Sequence, residues 1–251
     1  MLEDQFHNKH TLAHTINQLQ PQKLSQQLWI GPLNSIAQRE FLLQNNIKYI
    51  IGILPCHKCC YYLKDFDQNQ FTCISIDPDF DISKLTEIEG HCLMQFNSKF
   101  TSNIVNLTNN KISNSIITNL NIQKLLQDYL ILINSIREND SNANILLFSM
   151  NGNDNLFSLF TIAFIQDFLN CDIQQSYNYL KSIRPSINEI VKNSGYYNEL
   201  MKFEINNRAR KQFDLNNLNT GNNLKSKRSI SDLDDQYDAE LESPRIFKKK
   251  F

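Results

Sequence analysis

The chain has 251 residues, 41% hydrophobic and 20% charged, with 25 Lys+Arg against 26 Asp+Glu. That length and apolar content suffice for one sizeable core, while a formal net charge of -1 excludes the basic balance of a general nucleic-acid or membrane-surface binder. Six Gly and six Pro exclude collagen-like and Pro-rich architectures. No apolar run reaches the roughly 18 residues of a spanning helix. The start, Met1-Leu2-Glu3-Asp4-Gln5, lacks the basic n-region and apolar stretch of a signal peptide. The expectation is an intracellular protein with reduced thiols, cytoplasmic and/or nuclear.

Residues 1–22 are polar, Gln/His-rich and without a sustained period. Leu28-Trp29-Ile30 is a short apolar strand. Asn34 or Ser35 is placed to cap a helix carrying Ile36, Ala37, Phe41 and Leu42, ending near Asn45-Asn46. Lys48 to Leu54 is rich in β-branched residues and nearly all apolar, the composition of a strand covered on both faces. Phe71 to Ile76 is a further strand, closed by Asp77-Pro78. The stretch from about 81 to 121 fits neither the helical nor the strand period and is expected to be an insertion. Ile122, Leu125, Leu126, Tyr129, Leu132, Ile133 and Ile136 recur at helical spacing. Then come a strand, Ile145 to Phe148, a polar loop, Ser149 to Asn155, and an apolar helix from about Leu156 to Leu169. A helix from Ile173 to Ile183 is stopped by Pro185, and Ser194 is placed to cap a last one reaching Glu204.

Strands separated by helices imply an α/β fold, a central and mostly parallel sheet flanked by helices. The domain organisation expected is a polar segment, 1–22, a domain over 23–204 with its insertion at about 81–121, and a charged tail, 205–251. Ten basic and seven acidic residues leave that tail at +3. With little apolar surface to bury, it is expected to be disordered beyond its first turns.

A buried strand, a short loop containing Gly152 and an apolar helix together aim loop amides and a helix N-terminus at one point, a natural anion site. On these residues alone an ordinary strand-to-helix turn is the simpler account. The wider sequence resembles the dual-specificity protein phosphatases of the cysteine-dependent tyrosine phosphatase superfamily. The run LWIGPLNSIAQREFLLQNNIKYIIGI from Leu28 is similar to that family's first strand, helix and second strand. Arg184-Pro185-Ser186-Ile187-Asn188 and Asn193-Ser194-Gly195-Tyr196 are similar to its "RPxIN" turn and closing helix. The resemblance implies the family's fold, with the loop at the C-terminal ends of the strands.

Where that family carries His-Cys-x-x-Gly-x-x-Arg, this chain has Phe148, Ser149, Met150, Asn151, Gly152, Asn153, Asp154 and Asn155. Only the glycine is kept. The family nucleophile is a thiolate, stabilised by loop amides and the helix N-terminus; the alcohol of Ser149 stays protonated in the same setting. The family arginine grips two phosphate oxygens, and Asn155 is shorter and uncharged. Two charge-assisted hydrogen bonds at about 1.5–3 kcal/mol each correspond to roughly two to four decades of phosphate affinity. Asp154 adds a negative charge where a dianion would sit, and is placed to cap the following helix.

The family's general acid aligns with Asp77 or Asp79, here expected to be vestigial beside Pro78. Cys56-His57-Lys58-Cys59-Cys60 with His91-Cys92 has one pair at zinc spacing but no second, so the thiols are expected to be free. Cys73 and Cys171 read as small packing residues. No metal and no cofactor is implied. In the tail, Arg208-Ala209-Arg210-Lys211 with Phe213, Leu215 and Leu218 has the layout of a kinase-docking peptide or of a frayed extension of the last helix. Lys225, Lys227, Arg228 and Lys248, Lys249, Lys250 form candidate import signals or solvated charge runs. Ser229, Ser231 and Ser243 are candidate phosphorylation sites.

The function implied is that of a catalytically inactive phosphatase-like protein, a regulatory or scaffolding module in phosphorylation signalling. Its expected partner is a protein, either a phosphoprotein or a protein kinase, with no nucleic acid and no membrane. The alternative is a weakly active protein phosphatase with a non-standard site.

Overall fold

Six strands, β1 (Gln22–Lys23), β2 (Leu28–Pro32), β3 (Ile47–Ile53), β4 (Thr72–Ile76), β5 (Ile116–Ile117) and β6 (Asn144–Ser149), form one sheet in the order β1-β2-β6-β3-β4-β5. The computed structural model describes residues 19–192 and 194–213. It divides the chain into two units, Met1–Glu204 and Ile205–Phe251. In the second unit residues 205–213 are described, and they are helical. Every neighbouring pair in the sheet is parallel except β1 and β2, which run antiparallel.

Pleating divides the strand residues between two apolar clusters, one on each face. Ile145 and Leu147 of β6, Ile51 and Ile53 of β3, and Ile74 and Ile76 of β4 face one cluster. Leu146 and Phe148, Ile47 and Ile50, and Cys73 face the other. Helices α4 (Ile122–Asn139), α5 (Asn155–Leu169) and α6 (Ile173–Ile183) supply the first, and α1 (Arg39–Gln44), α2 (Cys56–Leu63) and α3 (Glu87–Leu107) supply the second. The α/β reading therefore stands, and the apolar strand 48–54 is covered on both faces as its composition requires.

Three elements differ from the sequence reading. The helix expected from Asn34 or Ser35 is a 3₁₀ turn, Leu33–Ala37, followed by α1 only from Arg39. Neither residue caps it: the Asn34 side chain donates to the Leu19 carbonyl at 2.9 Å, and the buried Ser35 hydroxyl has no hydrogen-bond partner among the described residues. The stretch 81–121 is regular. It contains α3, 21 residues long, and β5, which extends the sheet beside β4. Its start is a capping box in which the Thr86 side chain accepts from the Glu89 amide and Glu89 accepts from the Thr86 amide. Leu93, Phe96, Phe100 and Ile104 are buried, while the apolar Ile88 and Met94 stay exposed, which blurs the helical period. The third is α2, whose buried residues Cys56, Cys59, Cys60 and Leu63 follow the i, i+3, i+4, i+7 spacing.

Candidate functional site

The loop from Met150 to Asp154 joins the C-terminal end of β6 to the start of α5. Ser149 is fully buried and is held on both sides. Its hydroxyl donates to one carboxylate oxygen of Asp154 at 2.5 Å and accepts from the Gly152 amide at 3.0 Å. The other Asp154 oxygen accepts from the Phe157 amide at 2.9 Å, so Asp154 is the N-cap of α5. The Asn153 amide donates to the Asn151 side-chain carbonyl at 2.8 Å. The Gly152, Asn153 and Phe157 amides are thus given to the protein's own oxygens. A carboxylate sits where helix polarity favours negative charge.

Phe148, standing where the family has histidine, is fully buried in the cluster under α2. Gly52 on the neighbouring strand makes room for it: a Cβ there would lie 2.6 Å from Cys59 Sγ and 2.9 Å from Phe148 Cζ. Met150, Asn151 and Asn155 are exposed. Asn155 is the first residue of α5.

The loop is held from beneath by a residue the sequence reading used only as a family marker. Arg184 is fully buried. Its Nε donates to the Gly152 carbonyl and to Asn153 Oδ1, each at 2.7 Å, and Nη2 donates to the Asn151 carbonyl at 3.3 Å. Nη1 donates to the Gln20 carbonyl and to the Gln22 side chain. Burial lowers its pKa to about 10, which leaves it charged at neutral pH. Ser186 Oγ also donates to Asn153 Oδ1, at 3.0 Å, and the Asn188 amide donates to the Asn153 carbonyl at 3.1 Å. Gly152 completes the turn with φ of +71°, and a Cβ on it would meet Arg184 Nη2 at 2.6 Å and the Pro32 nitrogen at 2.8 Å. The signal that points to this role is an arginine directly after an amphipathic helix, with nothing acidic within four residues on either side.

Asp77 and Asp79 lie beside the loop, but their roles differ. Asp77 is buried, and its carboxylate accepts from the Cys56 amide at 2.8 Å and the Asp79 amide at 3.1 Å. It therefore caps α2, which Pro55 precedes without a side-chain cap of its own. Asp79 is exposed. Both line a pocket of about 260 Å³ with Leu54, Pro55, His57, Pro78, Phe80, Asp81, Lys84, Leu85, Glu89 and Leu156. Tyr196 links pocket and loop: its phenol is pushed up by burial and by the charges of Asp79 and Asp154.

The cysteines of α2 and β4 are core residues. Cys56, Cys59, Cys60 and Cys73 are fully buried, and burial pushes the Cys56 thiol up to about 12 and raises those of Cys59, Cys60 and Cys73 well above the usual thiol range. Thiols so raised are protonated and unreactive at neutral pH. All six cysteines are free, and among the described residues no three of the His, Cys, Asp and Glu side chains form a group that could hold a metal ion. No single described helix is long and apolar enough to cross a membrane.

Arg208, Arg210 and Lys211 lie on the helical residues of the second unit. Leu215, Leu218, the basic residues Lys225, Lys227, Arg228, Lys248, Lys249 and Lys250, and the serines Ser229, Ser231 and Ser243 lie outside the described residues.

Among solved structures the chain is similar to several of phosphatase type. One is a leucine rich repeat and phosphatase domain containing protein from Entamoeba histolytica, at 15% identity and a TM-score of 0.44, covering 78% of this chain and 97% of that one. A second is a human tyrosine phosphatase-like serine/threonine/tyrosine-interacting protein, at 16% identity and a TM-score of 0.48, covering 74% and 95%. A third is a mouse putative dual specificity phosphatase, at 12% identity and a TM-score of 0.43, covering 76% and 90%. At such identities the likeness is one of fold. No curated protein sequence matches the chain. Residues 19–163, more than half of the chain, match the family model of the YAL037W N-terminal domain, and the chain belongs to that family.

Proposed function

We propose that the chain is a catalytically inactive, phosphatase-like binding module that regulates or scaffolds a phosphoprotein or a protein kinase, in the cytoplasm and/or the nucleus. One observation carries this reading: the Asp154 carboxylate is bonded to the Ser149 hydroxyl and the Phe157 amide, so a fixed negative charge stands in the loop that the resemblance makes the phosphate loop. Three supporting features accompany it. No thiol stands at position 149, Asn155 is uncharged, and Arg184 turns its guanidinium to the loop carbonyls of Gly152 and Asn151. Chemistry on a P–O bond needs a nucleophile and a cation on the phosphoryl oxygens, and the loop supplies neither.

The test is hydrolysis of p-nitrophenyl phosphate by the purified full chain and by a variant carrying Phe148→His, Ser149→Cys, Asp154→Gly and Asn155→Arg together. The expected result is no turnover by the native chain and measurable turnover only by the variant. Co-purification of the intact chain with mass spectrometry identifies the partner. The short Ser149–Asp154 hydrogen bond also suits a second reading, a weak phosphatase in which the carboxylate activates the hydroxyl. That reading requires native turnover that disappears in both Ser149→Ala and Asp154→Asn.

A further inference from the structure

The pocket beside the loop has a composition opposed to phosphate. Its walls are mainly apolar, from Leu54, Pro55, Phe80, Leu85 and Leu156. Its charges are Asp77, Asp79, Asp81 and Glu89 against Lys84, a formal balance of -3 when histidine is left out of the count. Lys84 is engaged with Asp81 at 3.3 Å. Among the described residues, the carboxylates of Asp77 and Asp81 accept only from neutral donors and that lysine. On the segments that line the pocket, Ile82 and Ile88 are 71% and 83% exposed, next in sequence to Asp81 and Glu89. Large apolar side chains held out beside an apolar pocket mark a contact surface.

A side chain that fits such a site has an apolar stem and a positive end, and lysine and arginine have that build. A phosphorylated segment would bring negative charge against the carboxylates at close range, which costs rather than gains binding energy. We propose that this pocket docks an unphosphorylated, Lys/Arg-bearing segment of a protein partner, the aliphatic stem against Phe80, Leu85 and Leu156 and the cation against Asp79 and Glu89. The inference rests on the reading of the adjoining loop as a non-catalytic binding site, and it narrows the partner to one recognised through cationic rather than phosphorylated residues.

The test uses the full chain and three fluorescein-labelled nine-residue peptides that differ only at two central positions between leucines: Arg-Lys, Glu-Glu and a phosphoserine pair. Fluorescence anisotropy should give the Arg-Lys peptide an affinity at least about tenfold above the other two, lost in large part at 0.5 M salt. Two charge changes should act in opposite directions. Asp79→Lys should weaken that binding about fivefold or more, and Lys84→Glu should strengthen it about two- to fivefold. A merely structural effect would weaken binding in both. The proposal is overturned if the phosphoserine peptide binds as well or better, if none of the peptides binds, or if the two variants shift affinity alike. p-Nitrophenyl phosphate turnover by the same native preparation would overturn the inactive reading instead, and leaves the charge preference to be judged on the peptides.

Discussion

Ser149 and Asp154 satisfy one another within the turn between β6 and α5. The hydroxyl stays buried because it both donates and accepts, and the carboxylate is tolerated because a helix N-terminus faces it. Asp154→Ala removes the cap of α5 and leaves the Ser149 hydroxyl without its acceptor. Urea unfolding should show a loss of about 1–2 kcal/mol, and Asp154→Asn, which keeps a capping oxygen, should lose less. Gly152→Ala should cost more, about 2–4 kcal/mol, since it adds strain at positive φ to a collision with Arg184 and Pro32. The same unfolding curves measure it. Arg184→Met leaves the carbonyls of Gly152 and Asn151 without their donor in a buried site, and should lower stability by at least about 3 kcal/mol. Faster amide exchange at Gly152 and Asn153 would locate that effect in the loop.

At the scale of elements, α3 is the segment whose form was hardest to read. Its four buried residues are spread over 21 positions, with the apolar Ile88 and Met94 exposed among them, so no clean apolar stripe stands out in the string. The legible mark was Thr86-x-x-Glu89, a capping box that needs no apolar run to be recognised. Hydrogen bonds from Thr86, first from its amide, hold the Glu89 carboxyl below the usual carboxylate range. A depressed folded-state pKa means that its support for the helix is complete above the ordinary glutamate range and is lost as pH falls through the folded value. Acid titration followed by circular dichroism should therefore separate the native chain from Glu89→Gln at neutral pH and bring the two together in acid. Phe100→Ala, at one of those buried positions, should destabilise by about 3–5 kcal/mol. The helix α2 was concealed differently, because cysteines at positions 56, 59 and 60 suggest ligands before they suggest a core. Their spacing is that of a buried helical face.

Across the whole molecule, two apolar layers cover one mostly parallel sheet, and four thiols are buried in the second layer. Native protein at pH 7 should show no more than two fast-reacting thiols with Ellman's reagent, those of the half-exposed Cys92 and Cys171, and all six in guanidinium. The raised thiol of Cys56 sets the direction of the alkaline response. A folded-state value of about 12 against an ordinary value near 9 makes its contribution complete below pH 9 and lost as pH climbs towards 12. Unfolding midpoints should fall over that interval.

Periodicity and punctuation carried the α/β class, the strands around 28–30, 48–54 and 145–148, the helices from 122, 156 and 173, and the Ser194 cap, whose hydroxyl accepts from the Tyr197 amide at 3.3 Å. These are local properties, set by side-chain spacing and backbone preference, and a linear string contains them. That position 149 carries a hydroxyl and position 155 an uncharged side chain was equally legible, since residue type alone decides it. What only the tertiary structure decided are relations between distant positions. Arg184 reaches the carbonyls of Asn151 and Gly152 across more than thirty residues, Asp77 caps a helix that begins twenty-one residues earlier, and Phe148 fits the space left by Gly52. Burial and hydrogen-bond satisfaction are properties of assembled surfaces, so no spacing rule along the chain encodes them.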